Sequence, residues 1–398
     1  VRRLPPRGFT LIELMIAVSV AAFVIAGIFL AFMAQTSAYA DEQRQMTAQA
    51  GGREALNYLS ETVRQAGYGV DPSRALLAYD GFNATQANQA APNLAYPDAL
   101  VVHARDPDFQ RGVLSLSAAQ VQFSAAVGTV YPGQIFLLLC GGAAQSAYVT
   151  ALAQPTADTI TLQPAADVLQ DSPTSWPGPQ FHQEASLTGP CFGRGDVVAV
   201  KVNRAAFFVR AFADGPNQPT QTTPYLMLEQ GLDLNGDGTV DGDDAVPLAP
   251  GVEQLQVSYM MDAVPGKCAT PALHGVTDSP PWGTAWRTAT GPALDTAYQD
   301  ASRCTNDVAN VRQVRLTLVS RAAQVHAAQG GDNAFSPDAG VGSLGSGTVA
   351  WKPLENLVAS TNAFNPTGGG YQRLVLRVSS TPRNLSMRSQ FLPLTFGG

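Results

Sequence analysis

The hydrophobic pattern changes character twice along the chain. Residues 14–34 form an uncharged, mostly apolar run of 21 residues. As a helix it would span roughly 32 Å, enough for a hydrocarbon core of ~30 Å. From Asp41 the chain turns polar but keeps a helical period. Leu56, Leu59, Val63 and Ala66 recur at i, i+3, i+7 and i+10, and Arg53, Glu54, Glu61 and Arg64 lie off that stripe. No proline falls between Pro6 and Pro72, and Gly67, Gly69 and Pro72 close the pattern. One helix over residues 9–66 would measure roughly 87 Å. Gly51-Gly52 is a candidate bend within it, because each glycine costs a helix ~1 kcal/mol.

Beyond residue 70 the helical period disappears. Short β-branched and apolar runs follow, separated by turn residues. Strands are predicted over residues 99–104, 134–139, 196–202, 205–211, 225–229, 252–260, 311–320 and 371–379. Val314, Leu316 and Leu318 alternate with Arg315, Thr317 and Val319, and Leu374, Leu376 and Val378 alternate with Arg373, Val375 and Arg377. Such alternation suits antiparallel strands with one buried face. Residues 196–211 read as a hairpin turning near Asn203-Arg204. Long loops are predicted over 262–310, 327–349 and 362–370.

The chain has 398 residues, so two or three structural units are expected. Charged residues make up 14%, well below the ~25% of an average soluble protein. Lys and Arg number 24 against 31 Asp and Glu. With no basic surplus to neutralise phosphates, nucleic-acid binding is not expected. No nucleophile elbow, zinc-protease helix or phosphate loop occurs. His103, His182, His274 and His326 are scattered, and Arg194-Gly195-Asp196 reads as a chance tripeptide at a strand start. An enzyme is not expected.

Arg2, Arg3 and Arg7 precede the apolar run, so the N-terminus should remain cytoplasmic and the rest be exported. Ala38-Tyr39-Ala40 resembles a signal-peptidase site, but the apolar run exceeds the usual 7–15-residue signal core. A plain anchor would not explain Glu13, a carboxylate at the edge of an apolar segment, where a charge is costly and marks a functional candidate.

Gly8-Phe9-Thr10-Leu11-Ile12-Glu13, with the short basic leader before it, resembles the type IV prepilin signal. The resemblance is sharp over about the first 35 residues. It implies cleavage between Gly8 and Phe9 by a prepilin peptidase, and N-methylation of the Phe9 amine. It also implies that Glu13 neutralises a neighbouring subunit's terminal amine during assembly. A lone carboxylate in lipid needs such a cationic partner. Loss of the three arginines would leave an exported chain more acidic than the −7 of the full sequence.

The resemblance implies an α+β, pilin-like fold. Residues 1–8 would be a leader, and 9–67 a long N-terminal helix, membrane-spanning over 12–34 and amphipathic over 41–66. Residues 68–398 would form a large antiparallel β-rich head, in one unit or two subdomains. The size of that head resembles the minor pilins of the PilW type, and Pro382-Arg383-Asn384-Leu385 after a late strand is similar to that family's C-terminal end.

Residues 233–244 read DLNGDGTVDGDD. Asp233, Asn235, Asp237, Thr239, Asp241 and Asp244 stand at positions 1, 3, 5, 7, 9 and 12 of an EF-hand-type calcium loop, with Gly238 at the sharp turn. Thr239 would offer its backbone carbonyl, and Asp241 would act through water. Position 12 is Asp rather than Glu, and the flanks are not helices: residues 225–229 read as a strand, and Pro247 and Pro250 follow. A structural Ca²⁺ in a β context is expected. Five aspartates in twelve residues would otherwise repel one another.

The four cysteines all fall in the exported part, where disulfides form. Three pairings are possible. Neighbour pairing, Cys140–Cys191 and Cys268–Cys304, is the one expected. The second bridge would tether a loop holding Pro280-Pro281-Trp282 and Trp286, whose tryptophans are expected to pack beneath it.

These expectations describe a minor pilin that primes or caps a type IV pilus. Its partners would be the major pilin, other minor pilins, the prepilin peptidase and a large tip adhesin. It would be held in the inner membrane by one span before joining a cell-surface pilus. The alternatives are a minor pseudopilin of a type II secretion system and a membrane-anchored, calcium-dependent adhesin.

Overall fold

A computed structural model describes residues 10–70, 75–79, 97–140, 145–163, 196–213, 222–238, 243–261, 275–277, 311–321, 334–335 and 373–385. Thr10 opens the first element. Its extended backbone (φ −80°, ψ 151°) precedes α1 (Leu11–Gln65), a single helix of 55 residues. The helix is not interrupted at the candidate bend: Gly51 and Gly52 both sit inside it. The apolar stretch Leu11–Thr36 is long enough to cross a membrane, and none of it is buried against the rest of the chain. From Gly52 onward α1 turns inward: Leu56, Leu59, Val63 and Ala66 are all buried, as their spacing predicts.

Among the described residues fourteen strands follow: β1 (Leu76–Tyr79), β2 (Ala99–Leu116), β3 (Gln120–Phe123), β4 (Ile135–Cys140), β5 (Gln145–Thr156), β6 (Thr159–Leu162), β7 (Val197–Ala213), β8 (Thr222–Glu229), β9 (Val246–Pro250), β10 (Val252–Met261), β11 (Gly275–Thr277), β12 (Val311–Arg321), β13 (Ala334–Phe335) and β14 (Arg373–Ser380). Nine form one sheet in the order β1-β2-β3-β6-β5-β4-β7-β8-β9, and five form a second in the order β11-β10-β12-β14-β13. The described pairings are antiparallel except the two-residue β13–β14 contact.

The expected hairpin at Asn203-Arg204 is not a turn. Both predicted strands belong to the single 17-residue β7. Here β7 runs straight through opposite β2, with Ala104 facing Asn203 and His103 facing Arg204. The two long strands also pair with different neighbours along their length. β2 passes from β7 to β3, and β5 from β4 to β6. The pairings β2–β3–β6–β5–β4–β7–β2 therefore close a ring of six strands.

Closure is helped by a bulge. β2 takes five steps from Arg105 to Gln110 where β7 takes two, from Val202 to Val200. Pro107, which has no N–H for the ladder, lies in the surplus, and such an insertion bends the strand. It carries Phe109 into a core with Phe123 and Phe136, whose rings stand 5.5–6.3 Å apart. A second core joins the buried face of α1 to β1, the first half of β2, the second half of β7, β8, β10 and β12. Asp98 ties the two sheets, since its N–H donates to Leu255 O at 2.8 Å and its carboxylate accepts from Val257 N at 2.8 Å.

Candidate functional site

Three places carry the chemistry anticipated from the sequence: the start of α1, its junction with the head, and the acidic loop between β8 and β9.

Gly8 and Phe9 lie outside the described residues. Thr10 and Glu13, next to them, form a reciprocal capping box. Glu13 N donates to Thr10 Oγ1 at 3.3 Å, and Thr10 N and Oγ1 each donate to Glu13 Oε2 at 2.9 Å. This satisfies donors that a helix start leaves without intrahelical partners. It also fixes the helix boundary one residue after Phe9. The pattern Thr-x-x-Glu before an apolar run announces such a cap in the sequence.

At its other end α1 is held by the second sheet. A Cβ on Gly52 would run into Leu376 Cδ1 and lie 3.2 Å from Ser320 Cβ. Glycine here permits close approach rather than flexibility. Ser380 Oγ donates to Ser60 O at 2.8 Å. Asn384 Nδ2 donates to Gln65 O at 3.3 Å and Ala66 O at 3.4 Å, covering carbonyls that a helix end leaves open. Leu385 is buried and lies beside Gly67, whose positive φ (76°) turns the chain away. The segment that resembled a family terminus is thus the clasp on the helix end.

The acidic loop is anchored from beneath. Arg204 and Glu229, both fully buried, form an ion pair at 3.4 Å. Glu229 also accepts from Gly231 N. Burial pushes the Glu229 carboxyl above its ordinary range, against the opposing attraction of Arg204. Asp233 N donates to Pro132 O at 3.0 Å, which docks the loop on the six-stranded ring.

The carboxylates of Asp233 and Asp244 are buried and turned into the loop. Asp233 accepts from Gly236 N at 2.6 Å and Gly238 N at 3.0 Å. Asp244 accepts from Leu234 N at 2.7 Å and Asn235 N at 3.1 Å. Asn235 Oδ1 accepts from Asp237 N at 2.9 Å, and Asp243 pairs with Arg210 at 3.2 Å. Thr239 and Asp241 lie outside the described residues. Among the described residues, no group of three or more His, Cys, Asp and Glu is gathered for a metal. The donors that are described, Asp233, Asn235, Asp237 and Asp244, are hard oxygens of the kind Ca²⁺ takes, and two of the carboxylates are fixed by backbone N–H groups. To that extent the residues fit the ion.

Cys140, at the end of β4, is disulfide-bonded. Cys191, Cys268 and Cys304 lie outside the described residues, as do Trp282 and Trp286. Sequence reading missed Arg204, Glu229 and Arg210, which appear only as charges within strands.

Two family models match the chain. The one described as Prokaryotic N-terminal methylation motif matches residues 5–29, around the capped helix start. The one described as Type IV Pilus-assembly protein W matches residues 206–353. The chain thus carries a prokaryotic N-terminal methylation motif and a region similar to type IV pilus-assembly protein W. Its PilW region begins within β7 and takes in β8, the acidic loop and the strands of the second sheet up to β13, whereas β3–β6 precede it. Among solved structures, a type IV-like pilin from Thermus thermophilus is similar at 13% identity, covering 64% of this chain and 86% of that one, with a TM-score of 0.18. No curated protein matches.

Proposed function

We propose that this PilW-type chain is a minor pilin that primes or caps a type IV pilus. The observation that carries this reading is the single uninterrupted α1. Its exposed apolar half bears the methylation motif, and its other half is clasped into a head drawn from more than 300 residues, a bulk that fits poorly in a repeating shaft. The helix waits in the inner membrane as a single span and then enters a bundle with the major pilin and other minor pilins, with a large tip adhesin as a further partner. A prepilin peptidase cuts between Gly8 and Phe9, the Phe9 amine is methylated, and Glu13 exchanges its contact with Thr10 for a neighbour's amine.

The loop 233–244 holds a structural Ca²⁺ through Asp233, Asn235, Asp237, Thr239, Asp241 and Asp244. There the ion offsets the mutual repulsion of the aspartates. Cys140–Cys191 and Cys268–Cys304 are the proposed bridges.

The intact mass and N-terminal peptide of the protein recovered from cells test the central claim. The expected outcome is a chain beginning at methylated Phe9. A chain beginning at Asp41, or one retaining Val1, overturns it.

A further inference from the structure

Of the asparagines in the chain, only Asn235 is followed by glycine. In such a pair the glycine nitrogen can attack the asparagine side chain, because no Cβ on the second residue obstructs the approach. Asn235, Gly236 and Asp237 are exposed to water. A Cβ built on Gly236 would meet nothing within 4 Å, so no neighbour crowds the reacting atoms.

Three hydrogen bonds lay out the parts of that reaction. The nucleophile, Gly236 N, donates to Asp233 Oδ1 at 2.6 Å. A carboxylate at that distance is placed as a general base. The electrophile is Asn235 Cγ, whose Oδ1 accepts from Asp237 N at 2.9 Å. A donor there polarises the carbonyl and stabilises the oxyanion that attack creates. The leaving nitrogen, Asn235 Nδ2, donates to Asp237 Oδ2 at 3.2 Å. Asp237 thus grips both ends of the side-chain amide and folds it back over its own backbone.

We propose that Asn235 is a self-modifying site, converted to aspartate or isoaspartate through a cyclic imide with Gly236. The Gly236 N–Asn235 Cγ bond forms, and the proton on that nitrogen passes to Asp233 and through water to Nδ2. The Cγ–Nδ2 bond breaks and ammonia leaves. Water then opens the imide. Opening at Cγ gives aspartate, and opening at the backbone carbonyl gives isoaspartate. Either product adds a carboxylate at the third position of the loop, and isoaspartate also inserts a carbon into the backbone between the ligands. What this does to a cation rests on the calcium reading given above; the modification itself does not. A bound Ca²⁺ would draw Asp233 and Asn235 Oδ1 to itself and engage the base, so the ion-free loop is the reactive form.

The test incubates the full chain in chelator at physiological temperature and pH, and follows the loop peptide by mass spectrometry with chromatographic separation of the two products. Asn235 is expected to convert before any other asparagine, and several-fold faster in the folded chain than in the same chain unfolded in urea. Asp233→Asn should bring the folded rate down toward the unfolded one. Conversion that is equal or slower in the folded chain, or that starts at another asparagine, would overturn the site. Added Ca²⁺ should slow conversion several-fold. Fast conversion that Ca²⁺ leaves unchanged would keep the modification and remove Asn235 from the ligand set.

Discussion

Gly52 and Glu229 show two ways a single residue can be set by a partner distant in the chain. Gly52 is pressed against Ser320 and Leu376, so Gly52→Val should lower stability by about 2 kcal/mol through overpacking. A Cβ on Gly51 would make only an ordinary contact with Pro250 O at 3.5 Å, so Gly51→Ala should be neutral or add up to ~1 kcal/mol of helix propensity. Urea denaturation of the two variants checks the contrast. Glu229 is raised in the folded state, chiefly by burial. For a raised group, the stability it contributes is present below the unfolded carboxylate pKa and is lost as pH rises through the folded value. Glu229→Gln mimics the neutral form. Its urea midpoint should therefore match wild type near pH 4 and exceed it by pH 8. A midpoint well below wild type at pH 8 would mean that the attraction of Arg204 outweighs burial. Though not among the expectations, the Thr10–Glu13 cap was legible in the sequence because both partners sit within one helical turn. The Arg204–Glu229 pair and the Asn384 cap were not, because nothing local tells a strand charge or a late asparagine what it will meet.

At the scale of elements, legibility followed how many forces agreed. In α1 the apolar period, the absence of proline and the terminal glycines all pointed one way, and the helix ends within a few residues of its predicted bounds. β7 was split in two because Asn203-Arg204 looks like a turn. The strand continues because Arg204 has a buried carboxylate waiting, and because the halves on either side serve different cores. β9 was overlooked for its two prolines, yet it is the last strand of its sheet, and an edge position tolerates them. β3, β5 and β6 are short or rich in Ala, Ser, Thr and Gln, and their pairing in the ring decides them more than their composition does. The ring has its own aromatic core, which gives a test of independence. Phe136→Ala should cost about 3–5 kcal/mol of local stability. Amide hydrogen exchange should then speed up in β3–β6 while the amides of Leu56, Leu59 and Val63 keep their protection. Loss of protection in both places would show that the two cores open together.

Across the whole molecule, the acidic loop touches three bodies at once. Asp233 N reaches the turn at Pro132 on the ring, Asp243 reaches Arg210 on β7, and the chain after Asp244 runs into β9, whose Pro250 lies against Gly51 of α1. A cation bound there would stabilise more than a loop. A ligand that binds only the folded state adds RT ln(1 + [L]/Kd), about 2.7 kcal/mol at a hundredfold excess over Kd. Thermal unfolding of chelator-treated protein should therefore move to higher temperature as Ca²⁺ is added, in proportion to the logarithm of its concentration once the site fills. Mg²⁺ demands a tighter octahedral shell and retains its waters, so it should produce little shift at equal concentration. Asp233→Asn removes one ligand charge and one of the two acceptors, because Gly236 N and Gly238 N donate to different oxygens of the carboxylate and an amide oxygen can replace only one of them. The variant should unfold in chelator somewhat below wild type, by about the ~1 kcal/mol of one hydrogen bond, and lose most of the Ca²⁺-dependent shift. Identical melting curves of the wild type with and without Ca²⁺ would show that the loop is held without the ion, by backbone N–H groups and by ties such as Arg210 and the turn at Pro132.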